Sequence, residues 1–256
     1  NSIVNRAFYA VKHLSASNGM MTNAIFGFLN IMFKFIEEEN PDGLCVAFDL
    51  AAPTFRHKQY DGYKATRHGM PDELAEQMPV LKQVLDAMRI TRLEKEGYEA
   101  DDIIGTLAHS CDQRGDECII VTGDRDDLQL VSEKTRVDLI ITRMRRTETT
   151  VYTPEKVVEV YGVPAQALID VKALMGDSSD NVPGVAGIGE KTALSLIRKF
   201  GSLDGVYANL DDASIKAKMR EKLEKDRDMA YLSRQLVTID INTPLDTAIE
   251  QMTRKP

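Results

Sequence analysis

Glu99-Ala-Asp-Asp-Ile-Ile-Gly-Thr-Leu-Ala108, followed by Cys118-Ile-Ile-Val-Thr-Gly-Asp-Arg-Asp-Asp-Leu128, decides the fold. An acidic cluster opens a helix, the chain crosses over, and the β-branched run Ile119-Ile120-Val121-Thr122 delivers a second acidic cluster at a strand end. A strand alternating with a helix in this way is the unit of an α/β chain. Glu99, Asp101, Asp102, Asp124 and Asp126 repel one another when brought together, which costs stability unless a cation sits among them. A plainer role also fits: acids in a first helical turn are favoured by the macrodipole, and Asp124 can cap the next helix. Carboxylates elsewhere in the chain decide between the two.

Upstream, Leu44-Cys45-Val46-Ala47-Phe48 is a continuous apolar run ending in Asp49, which predicts a parallel strand buried on both faces. A buried helix over 20–38 and the turn Pro41-Asp42-Gly43 precede it. Ile3, Val4, Ala7, Phe8 and Val11 have helical spacing from the outset. A helix with no element before it implies a strand upstream of Asn1, and the polar Arg254-Lys255-Pro256 reads as the start of a linker, so the expectation is a fragment with a truncated first strand. Downstream the pattern predicts a helix over 72–88, a strand over Ile90–Leu93, a helix over Glu99–Arg114, a strand over 117–122, a short helix over Asp127–Leu130, a strand over Val137–Ile141 and a polar hairpin or edge over 143–152. Residues 1–152 therefore read as an α/β core with a mostly parallel central sheet flanked by helices.

Residues 153–256 read as a helical subdomain. Thr153-Pro154-Glu155 is a helix start, with Thr as N-cap and Pro at the first helical position. Helix 165–175 is followed by Gly184-Val185-Ala186-Gly187-Ile188-Gly189, a tight turn before helix Glu190–Phe200, and a highly charged helix covers 214–235. The glycines let the backbone approach a partner, and the next helix presents free N–H groups to an anion. About 176–200, this is what a helix-hairpin-helix needs to hold a DNA phosphate without reading sequence. A dinucleotide-binding loop is the rival, and it requires a preceding strand.

Across the 256 residues, 43% hydrophobic and 28% charged content is that of an ordinary globular chain. No apolar run is long enough to span a bilayer, and residues 1–15 do not form a secretory leader. Cys45, Cys111 and Cys118 lack zinc-ligand spacing and read as reduced core residues, the expectation being a monomeric cytoplasmic protein. The net charge of −8 argues weakly against nucleic acid, but a carboxylate-rich metal site would itself make the sum negative. Residues 50–71 run the other way. Phe55, Arg56, His57, Lys58, Tyr60, Tyr63, Lys64, Arg67 and His68 interleave bases and aromatics, which suits phosphate contact and base stacking along a strand of nucleic acid, or equally a solvated loop with helical turns. The Gly-Met-Pro break at 69–71 implies two helical pieces joined by a mobile segment.

The acids now fall into groups: Asp49 at one strand end, Glu99, Asp101 and Asp102 at a helix start, Asp124 and Asp126 at the next strand end, and Asp177 and Asp180 at the mouth of the glycine turn. Ligands of open α/β sheets bind beyond the carboxyl ends of strands. Oxygen donors without His or Cys select Mg²⁺ or Mn²⁺. So many carboxylates exceed the needs of one ion and point to a pair, the arrangement used for in-line phosphodiester cleavage. Lys64 and Arg67 could stabilise transition-state charge, or act in binding alone.

These segments, with Asn1–Ala10, Phe48–Arg67, Gly97–Ala108, Val121–Leu130 and Gly176–Ala193 in order, resemble the 5′-nuclease domains of the flap endonuclease superfamily found in bacterial DNA polymerase I. The resemblance covers nearly the whole chain. It implies a PIN/5′-nuclease-like fold and a Mg²⁺-dependent 5′→3′ exonuclease and flap endonuclease acting on 5′-flap, nicked or branched duplexes and RNA–DNA primer junctions in replication and repair, fused to a polymerase. By resemblance, Asp49, Glu99, Asp101 and Asp102 serve a first metal cluster and Asp124, Asp126, Asp177 and Asp180 a second. Lys64 and Arg67 match the base of a helical arch (about 50–71), Arg6 a motif beside the active site, and Gly184, Gly187, Gly189, Lys191 and Thr192 the DNA-gripping hairpin, where K⁺ is often bound. The family's first strand ends in an Asp ligand just before the position of Asn1. A non-catalytic module for branched DNA is the alternative reading; a metal-dependent RNase of related topology would lack the 183–193 turn.

Overall fold

A computed structural model describes residues 1–67, 69–143, 146–247 and 249–253. His68, the 144–145 tip of the expected hairpin, and the 254–256 tail lie outside the described residues. In chain order, α1 (Ser2–Ala10) packs on α2 (Asn23–Glu39), and β1 (Cys45–Ala47) leads through α3 (Phe55–Gln59), α4 (Asp72–Ala75) and α5 (Gln77–Ala87) to β2 (Thr91–Leu93). Next come α6 (Ala100–Arg114), β3 (Cys118–Thr122), a 3₁₀ turn (Asp126–Leu130), β4 (Thr135–Arg143) and β5 (Arg146–Tyr152). The helical half holds α7 (Pro154–Tyr161), α8 (Ala167–Met175), α9 (Glu190–Phe200), α10 (Leu203–Ala208), α11 (Ala217–Lys225) and α12 (Arg227–Val237).

The α/β alternation stands, but the strands form two sheets among the described residues rather than one. β1 and β2 pair in parallel, β3 and β4 pair in parallel from Cys118↔Thr135 to Thr122↔Leu139, and β5 lies antiparallel on β4 as the expected edge. β1 and β3 are both edge strands, and Asn1 and Ser2 bridge their carboxyl ends: Asn1 Nδ2 donates to Asp49 at 2.7 Å and Ser2 Oγ lies 3.2 Å from Thr122 Oγ1. Each half has its own apolar core. Phe28, Phe48, Leu81 and Leu85 fill one; Ile120, Leu128, Val137 and Leu139 fill the β3–β4 side; Leu174, Val185, Ile188, Leu196 and Leu223 fill the helical half.

Two expected helices are split. The one over 72–88 breaks after Ala75 because Pro79 has no N–H to return to the Ala75 carbonyl. The one over 214–235 breaks at Asp226, whose Oδ2 instead accepts the Ala186 N–H at 2.9 Å. The segment expected as a short helix after Asp127 is a 3₁₀ turn.

One buried ion pair joins three distant parts of the chain. Arg56, 2% exposed, donates two hydrogen bonds of 2.7 and 2.8 Å to the carboxylate of Asp102, which is 0% exposed. The same guanidinium donates to the carbonyls of Leu236 at 2.8 Å and Thr238 at 2.7 Å. Asp102 also accepts the N–H groups of Glu99 at 2.9 Å and Asp240 at 2.8 Å. Removing one partner strands a charge in the interior, so Arg56→Met is expected to lower the unfolding free energy by about 3–5 kcal/mol, and adding Asp102→Leu to recover most of that loss. Denaturant titration checks this; a single-variant loss under ~1 kcal/mol would show that the pair is not structural.

Candidate functional site

The acids that lie far apart in sequence meet in one cleft of about 140 Å³. Asp49, Glu99, Asp101, Asp124, Asp126, Asp177 and Asp180 all line it. Two are delivered by strand ends, as the chain pattern predicts. Asp49 follows β1 and accepts the N–H of Ala100, the first residue of α6, at 2.8 Å. Asp124 follows β3, donates its N–H to Thr122 Oγ1 at 3.0 Å and accepts the N–H of Asp126 at 3.0 Å. Asp177 follows the Gly176 cap of α8 and is held by the N–H and hydroxyl of Ser179 at 2.8 and 2.6 Å. A two-way backbone bridge between Asp177 and Val182 then fixes the loop carrying Asp180.

Burial first, and then the charges of Asp127 and Asp124, push the Asp101 carboxyl up. Burial, opposed by Lys172 and reinforced by Asp124, lifts Asp126 to about 6. Burial and the charge of Asp124 likewise lift Asp127 to about 7. Burial acts on Asp177 in the same sense, but Lys172 and Ser179 outweigh it and bring it down to about 2. The floor of the cleft thus holds more negative charge than its neighbours compensate.

Three cations sit among the acids. Lys64 Nζ donates to Glu99 at 2.6 Å and lies 3.8 Å from Asp180. Arg67, 47% exposed, pairs with Asp180. Lys172 of α8 bridges Asp126 and Asp177, and the charge of Asp126 overcomes burial to raise its ammonium to about 12. Lys64 holds its place with a left-handed backbone, φ 55°, and its N–H donates to the Asp180 carbonyl at 2.8 Å. That conformation is uncommon for a side chain with a Cβ and costs of order 1 kcal/mol. Among the described residues no three acids close around a single point, but the donor set is all oxygen and carries surplus negative charge, which fits hard divalent cations.

Several expected site residues are engaged within the protein. Asp102 is buried behind the acids and paired with Arg56, so it is not a free ligand; Arg56 borders the cleft with its guanidinium held by Asp102 and 3.5 Å from Glu99. Tyr63 is 4% exposed and does not offer a stacking face; its hydroxyl donates to Glu99 at 3.1 Å, and burial and the Glu99 charge keep it protonated. His57 closes the capping box of α3 through Thr54 and sets its ring edge against Tyr63. Tyr60 folds over Gly62 and packs with Tyr63 and Val237. Arg6 braces the Gly123 carbonyl behind Asp124 and does not line the cleft. Gly184 is buried with φ 60°: a Cβ there would lie 2.7 Å from the Gly176 Cα. It therefore joins turn to loop and does not face a partner, whereas Gly187, Gly189 and Lys191 are exposed and Thr192 is half-buried.

Two residues that act on the cleft acids without lining the cleft escaped the sequence. Lys172 is a lone base in an apolar helix, and its only signal is that it precedes Asp177 by little more than one turn. Asp127 is wholly buried with both carboxylate oxygens lacking a hydrogen-bond partner, and nothing in D-R-D-D distinguishes it from its neighbours.

The 5′-3′ exonuclease N-terminal, resolvase-like domain model matches residues 1–162, and the 5′-3′ exonuclease C-terminal SAM-fold model matches residues 163–256. DNA polymerase I of Caldicellulosiruptor bescii is 46% identical over 255 residues, covering 100% of this chain and 30% of that protein. DNA polymerase I of Bacillus subtilis is 47% identical over 249 residues, covering 97% and 28%. The chain thus spans under a third of these relatives. Among solved structures, T5 5′-exonuclease with bound zinc aligns at TM-score 0.69 and 23% identity over 84% of this chain and 81% of that one. The catalytic core of Rad2 in complex with DNA aligns at 0.56 and 17% identity, covering 97% and 81%. Both share the fold.

The folded protein holds the protons on Asp126 and Asp127 more tightly than the unfolded chain does, so stability is lost as pH rises through about 6 to 7. Divalent cations that pair with the ionised acids should restore it. Saturating Mg²⁺ or Mn²⁺ is expected to raise the melting temperature more at ~pH 8 than at ~pH 5; an equal rise at both would place the binding groups outside this cleft.

Proposed function

The chain belongs to the 5′-3′ exonuclease family, and on that premise we propose that it hydrolyses phosphodiester bonds at the 5′ ends of flapped, nicked or branched DNA, including RNA primer junctions. The observation that carries this reading is the convergence of seven carboxylates from four segments of chain on one cleft, with Lys64 and Arg67 among them. A paired set of Mg²⁺ or Mn²⁺ ions held by Asp49, Glu99 and Asp101 on one side and Asp124, Asp126, Asp177 and Asp180 on the other would supply an activated water and neutralise charge on the phosphate.

The chain's own residues do the rest. Lys64 and Arg67 now rest on Glu99 and Asp180. When those carboxylates are otherwise neutralised, both cations are free to turn to the scissile phosphate, where their charge counts most as negative charge develops. Tyr63 keeps Glu99 oriented from the buried side. Arg6 fixes the Gly123 peptide and so the start of the Asp124 turn. The exposed turn at Gly187 and Gly189 would hold the duplex backbone, and K⁺ there belongs to the same proposal, supported by the resemblance of the 176–193 motif. The relatives being DNA polymerase I supports a longer polypeptide that also carries a polymerase; action as a monomer in the bacterial cytoplasm is part of the same proposal.

The test is cleavage of an end-labelled 5′-flap duplex by the full-length protein with Mg²⁺. Asp126→Asn is expected to slow single-turnover cleavage by about 10³-fold or more while affinity for the flap stays within a few-fold, because the loss falls on charge stabilisation. Lys64→Ala is expected to slow the same step by ~10²-fold. Tight flap binding with no cleavage by the wild type would instead support a non-catalytic module for branched DNA.

A further inference from the structure

On α11 the lysines Lys218, Lys222 and Lys225 recur at helical spacing, which puts them on one face. None of the three forms an ion pair or side-chain hydrogen bond among the described residues, although Glu221 and Glu224 lie on the same helix. Like charges at such spacing weaken a helix by a few tenths of a kcal/mol each; Lys222 and Lys225 lie in the last turn, where the helix dipole favours them, but Lys218 lies in the first, where it does not. Lys218 and Lys225 are exposed, while Lys222 is half-buried.

Lys222 is half-buried because it lies against the glycine turn. Gly187 has φ 76°, and a Cβ built there would run into the Lys222 ammonium. The contact is braced from the same corner of the molecule: Asp226, one turn further on, accepts the Ala186 N–H at 2.9 Å. Val185 and Ile188, on either side, are buried in one core with Leu223. The turn and the lysine row are therefore one rigid surface, with exposed Gly187, Gly189 and Lys191 at one end and Lys225 and Lys218 leading away from Lys222.

We propose that this face of α11 is a second rail for the DNA backbone, continuous with the hairpin turn, with Lys222 contacting the phosphate nearest Gly187. The row is ~10 Å long at 1.5 Å rise per residue, about three nucleotides of one strand at 3.4 Å each. The ligand is the phosphate backbone of duplex DNA and not its base edges, since ammonium groups on a helix face neutralise phosphates without reading sequence. The inference rests on the nuclease reading above and deepens it: the duplex is held beyond the turn, on the helical half of the molecule.

The experiment measures flap-duplex affinity of the full-length protein as a function of salt, for the wild type, Lys222→Gln, the triple Lys218→Gln/Lys222→Gln/Lys225→Gln, and Lys34→Gln as a control for lost charge on the distant α2. The slope of log affinity against log salt is expected to fall by about 0.9 for Lys222→Gln and by up to about three times that for the triple variant. The Lys34→Gln control should change neither the slope nor single-turnover cleavage. Melting temperatures establish that each variant is folded. A wild-type slope in the folded triple variant overturns the rail while leaving the nuclease reading intact. A wild-type protein that neither binds nor cleaves the flap overturns both.

Discussion

The buried Arg56–Asp102 pair is the constraint on which the site depends. Asp102 starts α6, Arg56 belongs to the segment that carries Lys64 and Arg67, and the carbonyls of Leu236 and Thr238 belong to the far end of the chain. A two-toothed guanidinium–carboxylate contact fixes direction as well as distance. It therefore sets how the cationic segment lies over the acids, and it does so from a layer behind them. Desolvating two charges is costly, and here the guanidinium donates four hydrogen bonds and the carboxylate accepts four, which is the condition under which a buried pair holds.

In front of that layer the balance is reversed. The cleft concentrates carboxylates that burial and proximity drive toward protonation, and the three available cations reach only some of them. Asp177, gripped by Lys172 and Ser179, is held down, whereas Asp101 and Asp127, where burial and neighbouring carboxylates dominate, are driven up. The protein has thus been folded around a charge deficit. A structure that stores repulsion in this way is stabilised by binding cations, and its affinity for them is greatest where the acids are ionised.

Much of this was legible in the chain. Continuous apolar runs ending in Asp49 and Asp124 correctly located two strand ends, and the Thr153-Pro154 start and the glycine turn located the helical half. What failed has physical causes. Pattern reading treats charge as exposed, so it offers Asp102 to a metal and Arg56 to DNA without showing that the two side chains pair with each other. Aromatic and basic residues alternate in 55–68 both on a stacking surface and, as here for Tyr63, on a segment whose rings turn inward to hold carboxylates. Periodicity cannot show that Pro79 and Asp226 interrupt helices, because one acts through a missing donor and the other through a bond to a residue forty positions earlier. Lys172 and Asp127 acquire meaning only from neighbours that the tertiary fold supplies.

The cleft and the hairpin turn are not independent structures. α8 carries Lys172, ends at Gly176 and passes directly into Asp177. The backbone bridge from Asp177 to Val182 returns the chain to Gly184, which touches Gly176 and donates its N–H to Ser233 Oγ at 2.9 Å. From there Gly187 and Gly189 follow with no room for slack. Substituting Gly184 would force apart the two glycines and so move the acids relative to the turn, since a side chain at φ 60° is strained and has backbone in its path. Whatever backbone the turn grips is thereby held at a set separation from Asp177 and Asp180. On the proposed reading, the position of the cut along the strand is measured by this short closed loop rather than by any contact with the bases.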